Sequence, residues 1–269
     1  MTSATTAAGK ILIILSDADS FAIQKKDGTI QQEESGVFLQ ELTQPLLKLL
    51  DNGYSVTFAS PQGKGPNIDP LSTSTFAAYL GNWFAKNRDE QLVARMRAEN
   101  NFDSPRPFHS ITNAELASFA GVFIPGGHAP LTDLGADPEL GRILWHFHNG
   151  VKPTAVICHG PFALLSTQCA PGDPGFAYKG YRITSWSDAE ESLVETLKGG
   201  TVPAKVESTL AAAGAEMVSN LNKKMGQITV DRELVSGANP MAAASLGDKF
   251  IEMLQARRDG ASPYARETI

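Results

Sequence analysis

Apolar and polar positions divide the N-terminal part of the chain into a strand, a helix and a second strand. Residues 11–15 form a continuous apolar run of strand length, as expected for a strand covered on both faces, and the polar residues 16–20 follow as a loop. Residues 36–50 carry apolar side chains at helical spacing, which predicts an amphipathic helix that ends at Gly53. Residues 54–59 alternate in the manner of the next strand.

This rhythm breaks between Pro61 and Pro107 and then resumes. The interrupted segment contains a glycine-rich and proline-rich loop and a helix of mixed charge over residues 76–98. We predict an insertion at about residues 71–107 that covers the active site, within a single domain of residues 1–269. Further strands are predicted at residues 121–124, 154–157, 181–184, 228–230 and 234–236, and further helices at residues 137–149, 188–196, 203–213 and 240–255.

Strands that alternate with helices predict an α/β fold, with a doubly wound, mostly parallel sheet that has helices on both faces (flavodoxin-like) and a small helical insertion. In such sheets, reactive groups gather at the carboxyl ends of the strands. Cys158 directly follows the β-branched run at 154–157, at a turn into a helix that begins at Gly160. Such a turn exposes a nucleophile, and the positive end of the following helix favours thiolate over thiol. The alternative is a buried, inert cysteine.

Two neighbouring features point to the same edge. Gly126 and Gly127 follow the strand at 121–124, and glycines there let backbone N–H groups approach a ligand. The N–H groups of Gly127 and His159 would form an oxyanion hole, although a glycine pair also occurs in an ordinary tight turn. His159 is placed to pair with the sulfur and carry a proton. A histidine in a turn is otherwise a surface or structural residue, so both interpretations stay open.

Glu41 is the candidate acid. It lies in an apolar stretch four residues before Pro45, which lacks the N–H that would bond the carbonyl of residue 41. A carboxyl at this break, placed against the cysteine, would have a raised pKa and serve as a general acid and base. Spacing alone favours a solvated glutamate on a helix face. Glu33 and Glu34 are interpreted as charges at the N-terminus of the helix.

Composition excludes several classes of protein. The 269 residues carry a formal net charge of −6, which argues against non-specific nucleic-acid binding and provides no polybasic membrane anchor. The N-terminal stretch lacks the pattern of a signal peptide, and no apolar run approaches membrane-spanning length. With two cysteines, Cys158 and Cys169, a disulfide framework is not expected. No phosphate-binding, dinucleotide-binding or metal-ligand motif is recognisable. We expect a cytoplasmic protein with no cofactor, no metal, no nucleic acid and no membrane partner.

Four motifs occur in order along nearly the whole chain: GVFLQE at residues 36–41 followed by Pro45, PGGH at 125–128, AVICHGP at 155–161 and SGANP at 236–240. Together they resemble the ThiJ/PfpI superfamily, which has a class I glutamine-amidotransferase-like fold. Within it they are most similar to the heat-shock chaperone-type branch that includes glutathione-independent glyoxalase III. The insertion at 71–107 and the serine–tryptophan pair at 185–186 depart from this pattern. These departures bear on the identity of the substrate more than on the identity of the catalytic residues.

The resemblance implies roles for particular residues. The family's nucleophile corresponds to Cys158, its neighbouring histidine to His159 and its cysteine-contacting glutamate to Glu41. A third acid that orients the histidine corresponds to Glu191, with Glu190 one position away as the alternative. The resemblance also implies a homodimer.

On this basis we expect a glyoxalase III-type lyase that needs no cofactor and converts methylglyoxal, or a related 2-oxoaldehyde, to a hydroxy acid such as lactate through a hemithioacetal on the cysteine. Two alternatives remain. One is a stress-protective chaperone or redox sensor with an oxidisable cysteine. The other is an isocyanide hydratase that uses the same thiolate.

Overall fold

Strand β1 (Gly9–Ile14) lies inside a central sheet in this computed structural model, which describes residues 8–76, 78–172, 174–218 and 226–260. The other strands in these ranges are β2 (Ser20–Lys25), β3 (Ile30–Glu34), β4 (Tyr54–Ser60), β5 (Arg106–Pro107), β6 (Phe119–Ile124), β7 (Thr154–Ile157), β8 (Arg182–Ile183), β9 (Gly200–Thr201), β10 (Glu216–Met217), β11 (Ile228–Asp231) and β12 (Leu234–Gly237). The central sheet has the order β11-β12-β7-β6-β1-β4-β5. All neighbours are parallel except β11 and β12, which form an antiparallel hairpin.

Helices cover both faces of this sheet. The α-helices are α1 (Leu39–Asp51), α2 (Trp83–Glu99), α3 (Asn113–Ala117), α4 (Pro130–Asp133), α5 (Pro138–Asn149), α6 (Asp188–Lys198), α7 (Val206–Ala213) and α8 (Ala243–Arg258). Short 3₁₀ helices cover Pro70–Thr73, Phe108–Ser110, Gly160–Cys169 and Pro240–Ala242. Within the ranges described above, no helix is both long and apolar enough to cross a membrane.

The alternation of side chains along β1 builds two cores. Ile11 and Ile13 face a core with α1, α2 and α8, whereas Leu12 and Ile14 face a second core with α5, α7 and the 3₁₀ helix after β7. A strand that is buried on both faces must be apolar throughout, which explains the continuous run at residues 11–15. The predicted doubly wound, mostly parallel sheet is therefore confirmed.

A hairpin of β2 and β3 occupies the segment between β1 and α1, and β9 pairs with β2 to complete a three-stranded sheet. Phe21 and Ile23 are buried on one side and pack with Val202. The sequence-based interpretation of Glu33 and Glu34 as helix N-terminal charges is wrong, because both lie in β3 and α1 begins at Leu39. The pairing with β9 joins segments far apart in sequence, so local patterning did not reveal it.

The predicted insertion is built differently from the expectation in one respect. Its helix, α2, begins at Trp83 rather than residue 76, because Asn82 caps it by accepting the N–H of Ala85. The segment ends in β5, which pairs with β4 at the edge of the central sheet. Nε2 of Gln40 donates to the carbonyl of Ala78, so the segment touches α1 one residue before Glu41. That the insertion belongs to a single domain and covers the active site stays a prediction.

Candidate active site

The turn after β7 places Cys158 at the carboxyl edge of the sheet. Its φ is +61°, a left-handed conformation that costs free energy for a non-glycine residue. Two backbone hydrogen bonds hold it there: its N–H donates to the carbonyl of Gly237 at 2.9 Å, and its carbonyl accepts the N–H of Trp186 at 2.9 Å. The chain continues into a 3₁₀ helix at Gly160–Cys169. The predicted strained turn is present, and three separate strand ends or loops meet at it.

The turn after β6 lies against the same cysteine. Gly127 has a φ of +98°, and a Cβ at this position would overlap the carbonyl oxygen of Gly36. The N–H groups of Gly127 and His159 both point to the sulfur of Cys158. The N–H of Gly126 donates to Oε2 of Glu41 at 3.1 Å. Gly126 was expected to contribute to oxyanion or substrate binding. Its N–H instead donates to the carboxyl of Glu41, and the N–H groups that face the sulfur are those of Gly127 and His159.

Glu41 is fully buried in the first turn of α1, although its spacing alone favoured a solvated position. Burial raises its pKa to about 8, against hydrogen bonds from Cys158 and Gly126 that lower it. The side chain is therefore protonated at neutral pH. Its second oxygen, Oε1, is buried and accepts no hydrogen bond of ordinary geometry among the described residues. The carboxyl nevertheless contacts the thiol of Cys158 closely enough for each group to shift the pKa of the other.

Cys158 is only 4% exposed, which corrects the expectation of an exposed thiolate. Burial raises the pKa of its thiol well above the usual range, and the neighbouring Glu41 raises it further. The N–H groups of Gly127 and His159 act in the opposite direction. The predicted stabilisation of a thiolate by the following helix does not prevail. Desolvation of a charge in a nearly closed site outweighs a few aligned backbone dipoles.

His159 connects the sulfur to a second carboxylate. Its Nδ1 lies 3.3 Å from Sγ of Cys158, and its Nε2 lies 2.8 Å from Oε2 of Glu191. Burial and the neighbouring His128 lower its pKa to about 4, against the effect of Glu191. The ring is therefore neutral at pH 7. The carboxylate at Nε2 selects the tautomer with the proton on Nε2, which leaves Nδ1 free to accept the proton of the thiol.

The structure separates the two glutamates that the sequence left as alternatives. Glu191 is 1% exposed and faces His159 from the first turn of α6. Burial opposes its ionisation, but hydrogen bonds from His128 and His159 lower its pKa well below the usual range. Glu190 forms a capping box with Ser187, in which its carboxylate accepts the N–H and the hydroxyl of that residue. Glu191 is thus the carboxylate that contacts His159, whereas Glu190 caps the N-terminus of α6.

His128 is a member of the site to which the sequence assigned no role. Its Nε2 lies 3.3 Å from Oε1 of Glu191, the oxygen that His159 leaves open. Its ring stacks on Phe21 at 4.4 Å and lies 4.0 Å from the ring of His159. The available signal was its position directly after the glycine pair, but nothing local indicates that its ring turns toward α6.

Among the residues that the structure describes, one group of three side chains has the spacing of a metal site. The ligand atoms of His128, His159 and Glu191 all lie within 4.8 Å of one another. Each of these atoms already takes part in a hydrogen bond within the group. The Nε2 atoms of both histidines and both oxygens of Glu191 therefore already have hydrogen-bond partners.

The assembled groups place a thiol beside two groups that can move a proton. Nδ1 of His159 lies within reach of the thiol proton, and the protonated Glu41 also contacts the sulfur. Two backbone N–H groups are available for an oxygen that becomes negative beside the sulfur. This constellation fits attack of a thiol on a carbonyl carbon, followed by proton movement near the sulfur.

Comparisons with known proteins show which family and which relatives the chain resembles. A family model described as ThiJ/PfpI family-like matches residues 33–231. A protein/nucleic acid deglycase, HchA, of Pseudomonas aeruginosa is 30% identical over 186 residues, which are 68% of this chain and 57% of that protein. HchA of Staphylococcus aureus is 25% identical over 226 residues, 80% of this chain and 71% of that protein. The chain thus spans little more than half the length of the Pseudomonas relative.

Solved structures show the same fold. Glyoxalase III of Candida albicans superposes with a TM-score of 0.69 at 19% identity, over 92% of this chain and 98% of that one. A rapid encystment protein of Francisella tularensis superposes with a TM-score of 0.70 at 18% identity, over 91% and 99% of the two chains. At these identities, the likeness concerns the arrangement of the sheet and its helices.

Proposed function

The chain belongs to the ThiJ/PfpI family, and on that premise we propose that it is a glyoxalase III-type lyase that needs no cofactor. Its substrate would be methylglyoxal or a related 2-oxoaldehyde, and its product a hydroxy acid such as lactate. The observation that supports this proposal is the contact of one buried thiol with both a neutral histidine and a protonated carboxyl. An internal redox reaction of a 2-oxoaldehyde requires a nucleophile and proton carriers, and these groups supply both.

The first step is addition of the sulfur to the aldehyde carbon. As the S–C bond forms, the thiol proton moves to Nδ1 of His159, and the resulting imidazolium is stabilised by Glu191. The carbonyl oxygen takes the proton of Glu41, assisted by the N–H groups of Gly127 and His159. The product is a neutral hemithioacetal, with Glu41 now a carboxylate. A pKa of about 8 means that Glu41 enters the reaction as an acid and becomes the base for the next step.

The second stage moves hydrogen between the two substrate carbons. The Glu41 carboxylate removes the proton from the carbon that bears sulfur, while His159 protonates the neighbouring carbonyl oxygen to give an enediol. Glu41 then returns its proton to the second carbon, and the hydroxyl on the first carbon loses its proton to His159. The result is a thioester of the hydroxy acid. Water hydrolyses this thioester, which restores the thiol and returns the protons to their starting positions.

The direct test is lactate formation from methylglyoxal in a buffer free of thiols and amines. We expect activity in the wild-type chain and a loss on the order of 100-fold or more in Cys158→Ala and in Glu41→Gln. The matched control is Cys169→Ala, because Cys169 is exposed and lies outside the site. Retention of most activity in Cys158→Ala would contradict the mechanism.

A second candidate activity is deglycation, which the names of the Pseudomonas and Staphylococcus relatives favour. The same thiol would then attack the carbon of an adduct between a 2-oxoaldehyde and a protein or nucleic-acid nucleophile. The two activities respond differently to added N-acetylcysteine, which sequesters methylglyoxal as a hemithioacetal. The rate of lactate formation by a glyoxalase falls as the concentration of free methylglyoxal falls. The rate for a deglycase instead follows the concentration of the adduct. The chaperone or redox-sensor and isocyanide hydratase alternatives, the homodimer and the cytoplasmic location stay predictions.

A further inference from the structure

Four aromatic rings form a row through the candidate site. Phe21 stacks on His128 at 4.4 Å and 19°, His128 lies 4.0 Å from His159, and His159 stacks on Trp186 at 5.5 Å and 30°. The two central rings direct their Nε2 atoms to the two oxygens of one carboxylate, Glu191. The Glu191 carboxylate therefore accepts a hydrogen bond from both imidazoles. One of them, His159, also contacts the sulfur of Cys158.

We propose that His128 is a positioning residue, whose hydrogen bond to Oε1 of Glu191 fixes that carboxylate and limits how strongly it supports proton uptake by His159. The proposal rests on the proposed function for its catalytic meaning. Within the described part of the chain, the contacts of His128 are with Glu191, Phe21 and His159 rather than with the sulfur, so it would act through Glu191. Its place in the row, between Phe21 and His159, holds the Nε2 atom toward α6.

The direction of the effect follows from sharing of charge. Each hydrogen bond that a carboxylate accepts draws on its negative charge, so less remains to stabilise an imidazolium at the other oxygen. The ionisable groups that face His128 are Glu191 from α6 and His159 from the turn after β7, and β2 contributes the neutral ring of Phe21. His159 in turn contacts the sulfur of Cys158. A weakly basic His159 releases the proton that it has taken from the thiol more easily. The proposed catalytic cycle requires this, because His159 both accepts and donates a proton in it.

Two substitutions separate the hydrogen bond from the ring. His128→Phe keeps a ring for the stack but has no N–H for Glu191. His128→Gln keeps an N–H donor near the position of Nε2 but has no ring. The pKa of His159 is measured directly by NMR titration of its ring Cε1–H signal, which is identified by its disappearance in His159→Gln. The alkylation rate of Cys158 by iodoacetamide, followed against pH in a Cys169→Ser background, reports the same change at the sulfur.

We expect the pKa of His159 to rise by about 1 unit in His128→Phe and by clearly less in His128→Gln. The pH profiles of alkylation and of kcat/KM should move the same way, because neutral His159 is the form that accepts the thiol proton. If the pKa of His159 in His128→Phe equals that in the wild type, the proposal is overturned. A shift in His128→Gln that equals or exceeds that in His128→Phe would also overturn it, since the ring or its charge would then be responsible.

The NMR and alkylation measurements do not depend on turnover. A wild-type chain that forms no lactate would therefore refute the proposed function while leaving the coupling of His128, Glu191 and His159 to be decided by the titrations. Should His128→Phe fail to fold, His128→Leu, which also lacks a donor, replaces it in the comparison with His128→Gln, and the same two outcomes would overturn the proposal.

Discussion

Oε2 of Glu41 accepts the backbone N–H of Gly126 at 3.1 Å, across 85 positions of the chain. The bond ties the first turn of α1 to the turn after β6, and it holds the carboxyl beside Cys158. A Cβ on Gly126 would lie 2.5 Å from this oxygen and 2.7 Å from the Cβ of Cys158, so the contact requires glycine. The acid is thus positioned by a neutral backbone group rather than by a cation, which leaves burial to raise its pKa.

The raised pKa of Glu41 should appear in the pH dependence of stability. The unfolded carboxyl titrates near 4.5 and the folded one near 8, so between these values the folded protein holds the extra proton. The free energy of unfolding contributed by Glu41 therefore falls as pH rises through this window, by at most about 1.4 kcal/mol per pH unit.

Glu41→Gln imitates the protonated form and removes this dependence. Denaturant unfolding of both proteins across the window isolates the effect, because the other titrating groups, including His159, are common to both. We expect the variant to gain stability relative to wild type as pH increases. Parallel curves for the two proteins would show that Glu41 is not held protonated.

Glu191→Gln and Glu190→Gln form a matched pair on adjacent positions of α6. An amide at residue 191 can donate to Nε2 of His159, which favours the tautomer protonated on Nδ1 and blocks transfer of the thiol proton. We expect a loss of lactate formation on the order of 100-fold. Glutamine serves in a capping box as glutamate does, so Glu190→Gln should retain activity and stability. Steady-state kinetics and thermal unfolding measure both, and equal losses in the two variants would contradict the assignment of Glu191.

Gly127→Ala should destabilise the fold more than Gly28→Ala. Both glycines have a positive φ, of +98° and +85°, so both substitutions carry the backbone strain of a left-handed residue, about 1 kcal/mol. The added Cβ meets the Gly36 carbonyl only at residue 127, and at Gly28 it finds nothing within 4 Å. Comparison of Tm values separates the clash from the strain. Equal decreases in Tm for the two variants would mean that the backbone around Gly36 moves away from the added Cβ with little loss of stability.

Cys169 should react with iodoacetamide before Cys158 in the native protein at neutral pH. Cys169 is exposed, whereas Cys158 is buried and burial raises the pKa of its thiol. Peptide mass spectrometry after short exposure identifies which cysteine is alkylated, and unfolding in denaturant should make both reactive. Faster labelling of Cys158 would restore the original expectation of an accessible thiolate.

Local patterning predicted much of the architecture. The apolar run at residues 11–15 predicted a strand buried on both faces, and the structure confirms it in β1. Residues 228–236 predicted a short pair of strands, which is the antiparallel hairpin of β11 and β12. The turn at Cys158 was found because a strand, a cysteine and a proline-containing helix start are adjacent in sequence. These three features could be predicted because each depends on the spacing of apolar side chains or on residues that are adjacent in sequence.

The β2–β3 hairpin was missed because β3, with the sequence IQQEE, is mostly exposed and has no alternating apolar pattern. The other omissions concern contacts between distant segments: β9 pairs with β2, and the partner of the Gly126 N–H comes from α1. His128 had no local signal for a contact with α6.

By itself, the sequence determined most strands of the central sheet and the longer helices that cover it, the strained turn at Cys158 and, through its motifs, the family. Only the tertiary structure decided the ionisation of the site: a protonated Glu41, a neutral His159 and a buried thiol. Side-chain periodicity and turn preferences depend on residues that are neighbours in sequence, so both can be recognised from the sequence alone. Desolvation and the sharing of one carboxylate by two histidines arise only when separate elements close around the same small volume.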